Sequence, residues 1–315
     1  IIGRLVGSEM CIRDSNRYPD PYQRELKQAL SERNGIDSTQ LFIGNGSDEI
    51  IDLLFRLFVK PDTDKVLTFS PTYGMYRVSA EINDAELIEV PLNEQFQIDL
   101  EATLPYLTDE KLKMIIICSP NNPTGNLIRT KEIEALLGQF RGIVVIDEAY
   151  IDFADAPSWS ERLDEFDRLV VTQTFSKARG LAAARLGVAY ANSAIIDFLN
   201  KLKPPYNVSA LNQTAGLNAL QDEDEFDMQV RQIKSERSRL MNELGSLPLV
   251  KRLFPTDANF ILLEVPNATK VYEQLSAKGI VVRNRSKLVS NTLRISIGTA
   301  SENDRLLNEL KQLSL

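Results

Sequence analysis

At 315 residues the chain can hold one large core or, more naturally, a large domain and a smaller one. Hydrophobic residues make up 43% and charged residues 25%, the balance of an ordinary globular chain. A net charge of −8 with no basic block argues against a nucleic-acid or anionic-membrane partner, and no apolar run reaches the roughly 18 residues that span a bilayer.

Residues 1–15 stand apart. Glu9-Met10-Cys11-Ile12-Arg13-Asp14-Ser15 is what a transposase mosaic-end sequencing adapter yields on translation, so 1–15 is expected to be a non-native tail; the other reading is a native N-terminal strand. Asn16-Arg17-Tyr18-Pro19-Asp20-Pro21 is an extended entry, and a helical pattern follows to about Asn34 with Gly35 as its stop. Leu41 to Ile43 predicts a short strand, and Gly44-Asn45-Gly46-Ser47-Asp48-Glu49 opens an apolar-faced helix to about Val59. Strands are predicted at 65–69, 86–90, 113–118, 142–147, 168–174 and 186–191, with helices near 73–82, 130–140 and 178–183. A long helix is predicted over 209–244. After Gly245-Ser246-Leu247-Pro248 the rhythm changes to strand 258–264, helix 268–278, strands 280–283 and 292–297, and helix 301–313. Alternating units of this kind predict an α/β fold with a mostly parallel sheet covered by helices. The expected division is a large domain over 38–245 and a smaller α+β domain made of 16–37 plus 246–315.

Histidine is absent. Serine–histidine and cysteine–histidine nucleophiles and histidine-held metals are thereby excluded, and no metal is expected. Proton transfer must rest on Lys, Asp, Glu, Tyr or a cofactor. Two cysteines, Cys11 and Cys118, are too few for a disulfide framework and fit a reducing cytoplasm.

Five segments carry chemistry. In Thr174-Phe175-Ser176-Lys177-Ala178-Arg179-Gly180-Leu181-Ala182-Ala183-Ala184-Arg185-Leu186-Gly187 a lysine follows a buried strand and an arginine stands eight positions on. An amine condenses with an aldehyde only when deprotonated, and burial lowers its pKa; a guanidinium fork suits a phosphate. A lone lysine at a strand end is ordinarily a surface residue, so the spacing of Ser176, Lys177 and Arg185 is what singles this one out. Val144-Val145-Ile146-Asp147-Glu148-Ala149-Tyr150 ends an apolar strand on Asp147. A carboxylate buried there needs a cation such as a protonated pyridine nitrogen; the alternative is a helix-capping Asp. Tyr150 is either a donor to a cofactor oxygen or a half-buried core tyrosine. Cys118-Ser119-Pro120-Asn121-Asn122-Pro123-Thr124-Gly125 is a rigid turn where open α/β sheets place ligands, and Asn122 offers an amide there. Glycines ahead of Ser47 let helix N–H groups close on a phosphate, unless Ser47 serves only as a cap. In Ser70-Pro71-Thr72-Tyr73-Gly74-Met75-Tyr76, Tyr73 is the ring placed to stack on a planar cofactor, and Tyr76 is read as packing.

Together these segments resemble fold-type I pyridoxal-phosphate (PLP) enzymes of the aspartate-aminotransferase superfamily. In detail, from Asn16 onward, the chain is similar to the histidinol-phosphate aminotransferase family. Asn16 to Pro21, Pro71 to Tyr76, Pro204-Pro205-Tyr206-Asn207-Val208-Ser209 and Leu293-Arg294-Ile295-Ser296-Ile297-Gly298-Thr299 carry the likeness. The resemblance implies a three-layer, mostly parallel, PLP-binding large domain with a smaller α+β domain. It implies that Lys177 bonds covalently to PLP and later moves the proton. Asp147 would pair with the ring nitrogen, Asn122 and Tyr150 would hydrogen-bond the phenolic oxygen, and Tyr73 would stack on the ring. Gly46, Ser47, Asp48, Thr174, Ser176 and Arg185 would hold the phosphate, with Tyr18 reaching it from the partner of a homodimer. Arg294 would take the α-carboxylate of glutamate. Arg283 would help hold the phosphate of histidinol phosphate, or is a solvated surface charge.

The activity so implied is amino transfer between glutamate and imidazole acetol phosphate, a cytoplasmic step of histidine biosynthesis with small-molecule substrates. The alternatives are a PLP lyase resembling threonine-phosphate decarboxylase, a general aromatic aminotransferase, and an inactive remnant that only dimerises. The tyrosine-proline entry, the Pro204 to Val208 segment and Arg283 favour the first. The family also carries an arm ahead of the Asn16 segment, where the adapter-like residues stand here.

Overall fold

The structure is a computed structural model and describes residues 16–313; the expected non-native tail at 1–15 lies outside the described residues. Seven strands form the large sheet: β1 (Leu41–Asn45), β2 (Lys65–Ser70), β3 (Glu86–Pro91), β4 (Leu112–Cys118), β5 (Ile143–Asp147), β6 (Leu169–Thr174) and β7 (Leu186–Ala191). Their order is β1-β7-β6-β5-β4-β2-β3. Neighbours from β3 through β6 pair in parallel, and β7 alone runs against both β6 and β1. The strand sequences explain the choice. LKMIIIC in β4 and IVVID in β5 offer no polar face and are almost wholly buried, so both sides of the sheet must be covered.

The cover comes from α1 (Arg24–Asn34), α2 (Ser47–Phe58), α3 (Met75–Ile82), a short α4 (Leu100–Thr103), α5 (Thr130–Gln139), α6 (Ser193–Leu202), α7 (Ala210–Ala219) and α8 (Glu223–Gly245). Alternate strand residues face two layers. Ile115, Ile117, Val144 and Ile146 share one cluster with Leu26 and Leu30 of α1 and Ile133 and Leu136 of α5. Met114, Ile116 and Val145 share the other with Ile50 and Leu54 of α2, Tyr76 of α3 and Leu199 of α6. Each such side chain contributes about 1.5–3 kcal/mol by leaving water. The result is the three-layer, mostly parallel α/β arrangement that the sequence predicts.

The smaller unit holds β8 (Arg252–Leu253), β9 (Phe260–Glu264), α9 (Ala268–Ala277), β10 (Arg283–Asn284), β11 (Thr292–Ser296) and α10 (Ala300–Gln312). Its antiparallel sheet, β10-β11-β9-β8, packs on Leu240 and Leu244 of α8 and on Leu306 and Leu310 of α10. A capping box between Thr299 and Glu302 starts α10. Tyr150, Phe153, Ala178, Phe226, Ala258 and Phe260 form a further apolar cluster where the units meet. There the buried Arg237 donates from Nη1 to the carbonyls of Phe153 and Ala258, at 3.0 and 2.9 Å.

Several predictions move. Residues 16–37 were expected with the smaller unit, but Leu26, Leu30 and Ile36 lie in the large sheet's cluster because the apolar face of α1 packs on β1 and α7. We propose that the two units meet within α8, whose far end serves the smaller core. The predicted helix at 209–244 is two helices, since Asp222 accepts the Glu225 N–H and caps α8 afresh. The predicted helix at 178–183 reduces to a 3-10 turn at Ala182–Ala184, because Gly180 takes a left-handed conformation (φ 66°) and Leu181 N–H turns back to the Phe175 carbonyl. The strand predicted at 280–283 is only Arg283–Asn284. No prediction covered α6, which Asn192 caps.

Gly187 marks the closest approach of β7 to the start of α2. A Cβ there would sit 2.5 Å from Gly46 C and Ser47 N, both backbone atoms that cannot swing aside. Gly187→Ala is therefore expected to displace the start of α2 and to cost about 1–3 kcal/mol. Urea denaturation checks this: an unchanged midpoint would show that the contact is not tight.

Candidate active site

β1, β2, β4, β5 and β6 end, and β7 begins, along one edge of the large sheet. Open α/β sheets bind ligands at such an edge, and a cavity of about 290 Å³ opens there. Of the residues singled out from the sequence, Ser47, Asp48, Tyr73, Asn122, Asp147, Tyr150, Thr174, Ser176, Lys177, Arg185, Arg283 and Arg294 line it. Gly46 lies directly behind: a Cβ on it would stand 2.5 Å from Arg185 Nη2. Tyr18 is not brought to the cavity of its own chain. It is 80% exposed and stacks on Tyr206 with ring centroids 4.4 Å apart.

One end of the cavity suits an anion. Gly46 (φ 83°) is the N-cap of α2 and Ser47 its first residue, so the reading of Ser47 as the cap does not hold. Gly46 has no side chain to occupy the first-turn N–H groups, and the helix dipole adds positive potential there. Arg185 adopts a left-handed backbone (φ 49°, ψ 58°) that brings its guanidinium beside Gly46, where Nη2 donates to Asp48 Oδ2 at 3.3 Å. Such a conformation is costly for a non-glycine residue and collects at functional sites. Thr174 Oγ1 accepts the Ser176 N–H at 3.1 Å and donates to the Leu186 carbonyl at 3.1 Å, which holds the turn after β6. Tyr73 donates to Asp48 Oδ1 at 3.1 Å, and burial pushes its phenol up.

The centre is a buried carboxylate. Asp147, at the end of β5, accepts the Tyr76 hydroxyl on Oδ2 at 2.7 Å and the Ala149 N–H on Oδ1 at 3.2 Å. Burial is the first cause that raises its pKa, and no ion pair reaches it among the described residues. Tyr76 is thus more than the packing residue the sequence suggested. It is fully buried, and its hydroxyl orients Asp147; only its place one turn beyond Tyr73 hinted at this. Asn121, also missed, ties two turns together: its Nδ2 donates to the Pro71 carbonyl at 2.9 Å and its Oδ1 accepts the Thr72 hydroxyl at 2.8 Å. That bond sets the turn carrying Tyr73 against the turn carrying Asn122.

Lys177 projects into the open cavity with Nζ 5.5 Å from the centre of the Tyr150 ring. Lost hydration and then the Arg294 charge lower its pKa, so more of the amine is free at a given pH. Burial pushes the Tyr150 phenol up to about 12 against the pull of Arg294, which keeps it a hydrogen-bond donor. Arg294, on β11, donates from Nη1 to Asn122 Oδ1 at 2.6 Å and lies 4.8 Å from the centre of the Phe260 ring. Arg283 stands opposite it on β10. Arg285 also lines the cavity and was missed; its spacing of two from Arg283 on an extended segment was the available signal. Five basic and two acidic residues thus line a cavity in a chain whose net charge is −8.

Glu148 lines a second cavity, of about 310 Å³, rather than the first. Its carboxylate is buried and accepts from the Ser158 hydroxyl, the Trp159 N–H and the Gln173 amide. Burial pushes its pKa up to about 7 from the ordinary 4.5. The protonated form therefore favours folding: that contribution is fully present below about 4.5 and is lost as pH rises through about 7. Glu148→Gln, neutral throughout, is expected to flatten this fall and to be more stable than the parent at about pH 8, by a few kcal/mol at most. Melting temperatures across the range decide it; parallel pH profiles would refute it.

The family described as aminotransferase class I and II matches residues 11–310. A histidinol-phosphate aminotransferase of Christiangramia forsetii is 48% identical over 98% of this chain and 91% of its own. The crystal structure of the histidinol-phosphate aminotransferase from Clostridium acetobutylicum is similar with a TM-score of 0.89 and 27% identity, covering 98% of this chain and 93% of that one. The enzyme of the same name from Sinorhizobium meliloti, solved in complex with pyridoxal-5'-phosphate, gives a TM-score of 0.88 and 26% identity, covering 98% and 86%. The fold is accordingly that of the fold-type I transferases. With the lysine, the buried aspartate and the anion-binding helix start on one sheet edge, the chain belongs to the class I and II aminotransferase family.

Proposed function

We propose that the chain is a PLP-dependent aminotransferase that exchanges an amino group between glutamate and 2-oxoglutarate on one side and histidinol phosphate and imidazole acetol phosphate on the other, in histidine biosynthesis. The observation that carries this is the cavity's composition: a lysine of lowered pKa and a buried carboxylate without a counter-ion among the described residues, faced by arginines suited to anionic substrates. The near-full-length similarity to histidinol-phosphate aminotransferases supports the same choice.

The residues fit PLP. Gly46 leaves room at the start of α2, where N–H groups and Arg185 suit a phosphate, and Asp147 suits a protonated ring nitrogen. When bound, PLP supplies an aldehyde for covalent attachment and an electron-withdrawing ring that stabilises negative charge on a substrate carbon. Lys177 supplies the amine and takes and returns the proton at the substrate's α-carbon. Asp147, oriented by Tyr76 and Ala149, holds positive charge at the ring nitrogen, which offsets its own burial cost. Tyr150 stays protonated and, with Asn122 as the second partner, would donate a hydrogen bond to the phenolic oxygen. Tyr73 would cover the ring, Thr174, Ser176, Ser47 and Asp48 would hold the cofactor phosphate, several through backbone N–H groups, Arg294 would take the α-carboxylate of glutamate, and Arg283 would help hold the phosphate of histidinol phosphate.

The test is a pair of half-reactions. Protein loaded with PLP is mixed with glutamate and, separately, with histidinol phosphate, and cofactor absorbance is followed. Both are expected to shift it, and borohydride reduction before mixing should leave the pyridoxyl mass on Lys177. A label on another lysine overturns the site assignment. Release of CO₂ from a phosphorylated amino acid, with no response to glutamate, would favour the lyase.

We also propose a homodimer with shared sites, located in the cytoplasm. Tyr18 and Tyr206 form an exposed stack, and Tyr22, Phe198 and Leu211 add exposed apolar surface. Cys118, a buried free thiol, suits a reducing compartment. In this reading Tyr18 of the partner subunit reaches the cofactor phosphate, and Tyr18→Phe loses roughly 1.5–3 kcal/mol of cofactor retention. Mixing Tyr18→Phe with Lys177→Ala should then rebuild one intact site per hybrid dimer and restore retention there. Hybrids that behave as the sum of their parents would exclude sharing.

A further inference from the structure

Two segments remote in sequence carry the exposed Tyr18–Tyr206 stack, and neither can pair its own backbone well. Pro19, Pro21, Pro204 and Pro205 have no N–H, so the two segments cannot form a ladder with each other. Their carbonyls go to one side chain instead. Lys203 Nζ donates to the Pro21 carbonyl at 2.7 Å, to the Pro205 carbonyl at 3.1 Å and to the Pro204 carbonyl at 3.3 Å. A lysine ammonium has three N–H donors and no acceptor, so these carbonyls use its whole capacity. The side chain is buried, and burial lowers its pKa against the pull of Glu49 and Asp20.

The junction is fastened to the large sheet. Gln213 of α7 donates from Nε2 to the Asp20 carbonyl at 3.2 Å and to the Val208 carbonyl at 3.0 Å. Asn207, next to Tyr206, donates from Nδ2 to the Ile43 carbonyl of β1 at 3.1 Å and to Glu49 Oε2 of α2 at 2.8 Å. An exposed segment is ordinarily free to move, and holding it costs conformational entropy. A buried ammonium is also a costly way to join two loops, because apolar residues of similar volume often serve stability as well or better. Here the ammonium fixes the backbone beside both rings of a stack whose Tyr18 faces solvent in the single chain.

We propose that Lys203 is a positioning residue for the cofactor site of the neighbouring subunit: by gathering the carbonyls of Pro21, Pro204 and Pro205 it holds Tyr18 against Tyr206 in the pose that Tyr18 presents across the dimer. This rests on the reading in which Tyr18 completes the neighbour's site. Lys203 does not line the cavity of its own chain, so its loss is felt in trans.

The experiment uses differently tagged full-length subunits carrying Lys203→Met, Tyr18→Phe or Lys177→Ala. PLP is titrated in and trapped with borohydride, which marks only the sites that keep Lys177. Hydrogen exchange over residues 18–23 is followed in the protein without PLP. The Lys203→Met homodimer is expected to bind PLP about 10-fold more weakly, the lower end of the loss expected for Tyr18→Phe, and to exchange faster over 18–23. In a hybrid with Lys177→Ala, the site that keeps Lys177 draws Tyr18 from the subunit whose Lys203 is intact, so its affinity should return to that of the parent. Added to Tyr18→Phe, Lys203→Met should weaken binding by less than about twofold, because the hydroxyl it positions is already gone. Gln213→Leu removes the tie from Asp20 to Val208 and leaves every charge in place. It should give the same pattern more weakly, and it decides the matter if Lys203→Met does not fold. A hybrid as weak as the Lys203→Met homodimer, or losses that multiply in the double variant, overturns the inference, since Lys203 then acts within its own chain. Binding by Tyr18→Phe equal to that of the parent overturns the shared-site reading instead, and the role of Lys203 falls with it.

Discussion

Covering both faces of the seven-stranded sheet leaves its strand ends as the place where polar side chains can gather. β4 and β5 spend nearly every side chain on the two apolar layers, so polar residues gather where the strands stop: Asp147 in β5, and Ser119, Asn121 and Asn122 in the turn after β4. The one strand of opposite direction, β7, starts at that edge and brings Arg185 with it. Gly187, next along β7, lets the strand pass within contact of Gly46, so the start of α2 and the Arg185 guanidinium meet. Packing of the sheet thus determines how close the anion-binding elements come.

Electrostatics at the edge divides into two problems with opposite signs. Asp147 is a negative group whose burial is compensated by neutral donors alone, Tyr76 and Ala149. The arginines from the smaller unit are positive groups with no carboxylate partner among the described residues. A ligand with a cationic ring and anionic arms would relieve both at once, and neither relief comes from the described residues. Lys177 shares the cavity, its amine made easier to deprotonate by burial first and then by the Arg294 charge.

The large sheet and much of the cavity lining were legible in the sequence because they rest on local patterns. Apolar runs bounded by turn residues located every strand of the large sheet, and the spacing of Ser176, Lys177 and Arg185 survives intact in the turn after β6. Tyr76 was read as packing because its partner Asp147 is 71 residues away, a distance that no local pattern reports. Arg285 was missed for a different reason: it follows an edge strand of only two residues, so its spacing of two from Arg283 is too brief a pattern to mark a face without the register to β11. The break between α7 and α8 escaped because the helical period resumes after it. Residues 16–37 were set with the smaller unit although Leu26 and Leu30 pack on the large sheet, since amphipathicity says that a face is buried but not against what.

The cofactor end and the substrate end come from different units, so their relative placement has to be held by specific contacts. The turn after β4 supplies them. Leu127 N–H donates to Asp257 Oδ2 at 2.9 Å, and Asp257 N–H donates back to the Gly125 carbonyl at 2.8 Å. Gly125 itself has φ 87° and faces Thr256 so closely that a Cβ would lie 2.3 Å from its Oγ1. The third tie, from Arg294 to Asn122, differs in kind because both partners have a role in the proposed chemistry. A substrate carboxylate that takes the Arg294 fork competes with Asn122 for it, while the backbone ties at Gly125 and Leu127 stay in place. Under the roles proposed for Arg294 and Asn122, a bound carboxylate would redirect the Asn122 side chain without releasing the smaller unit.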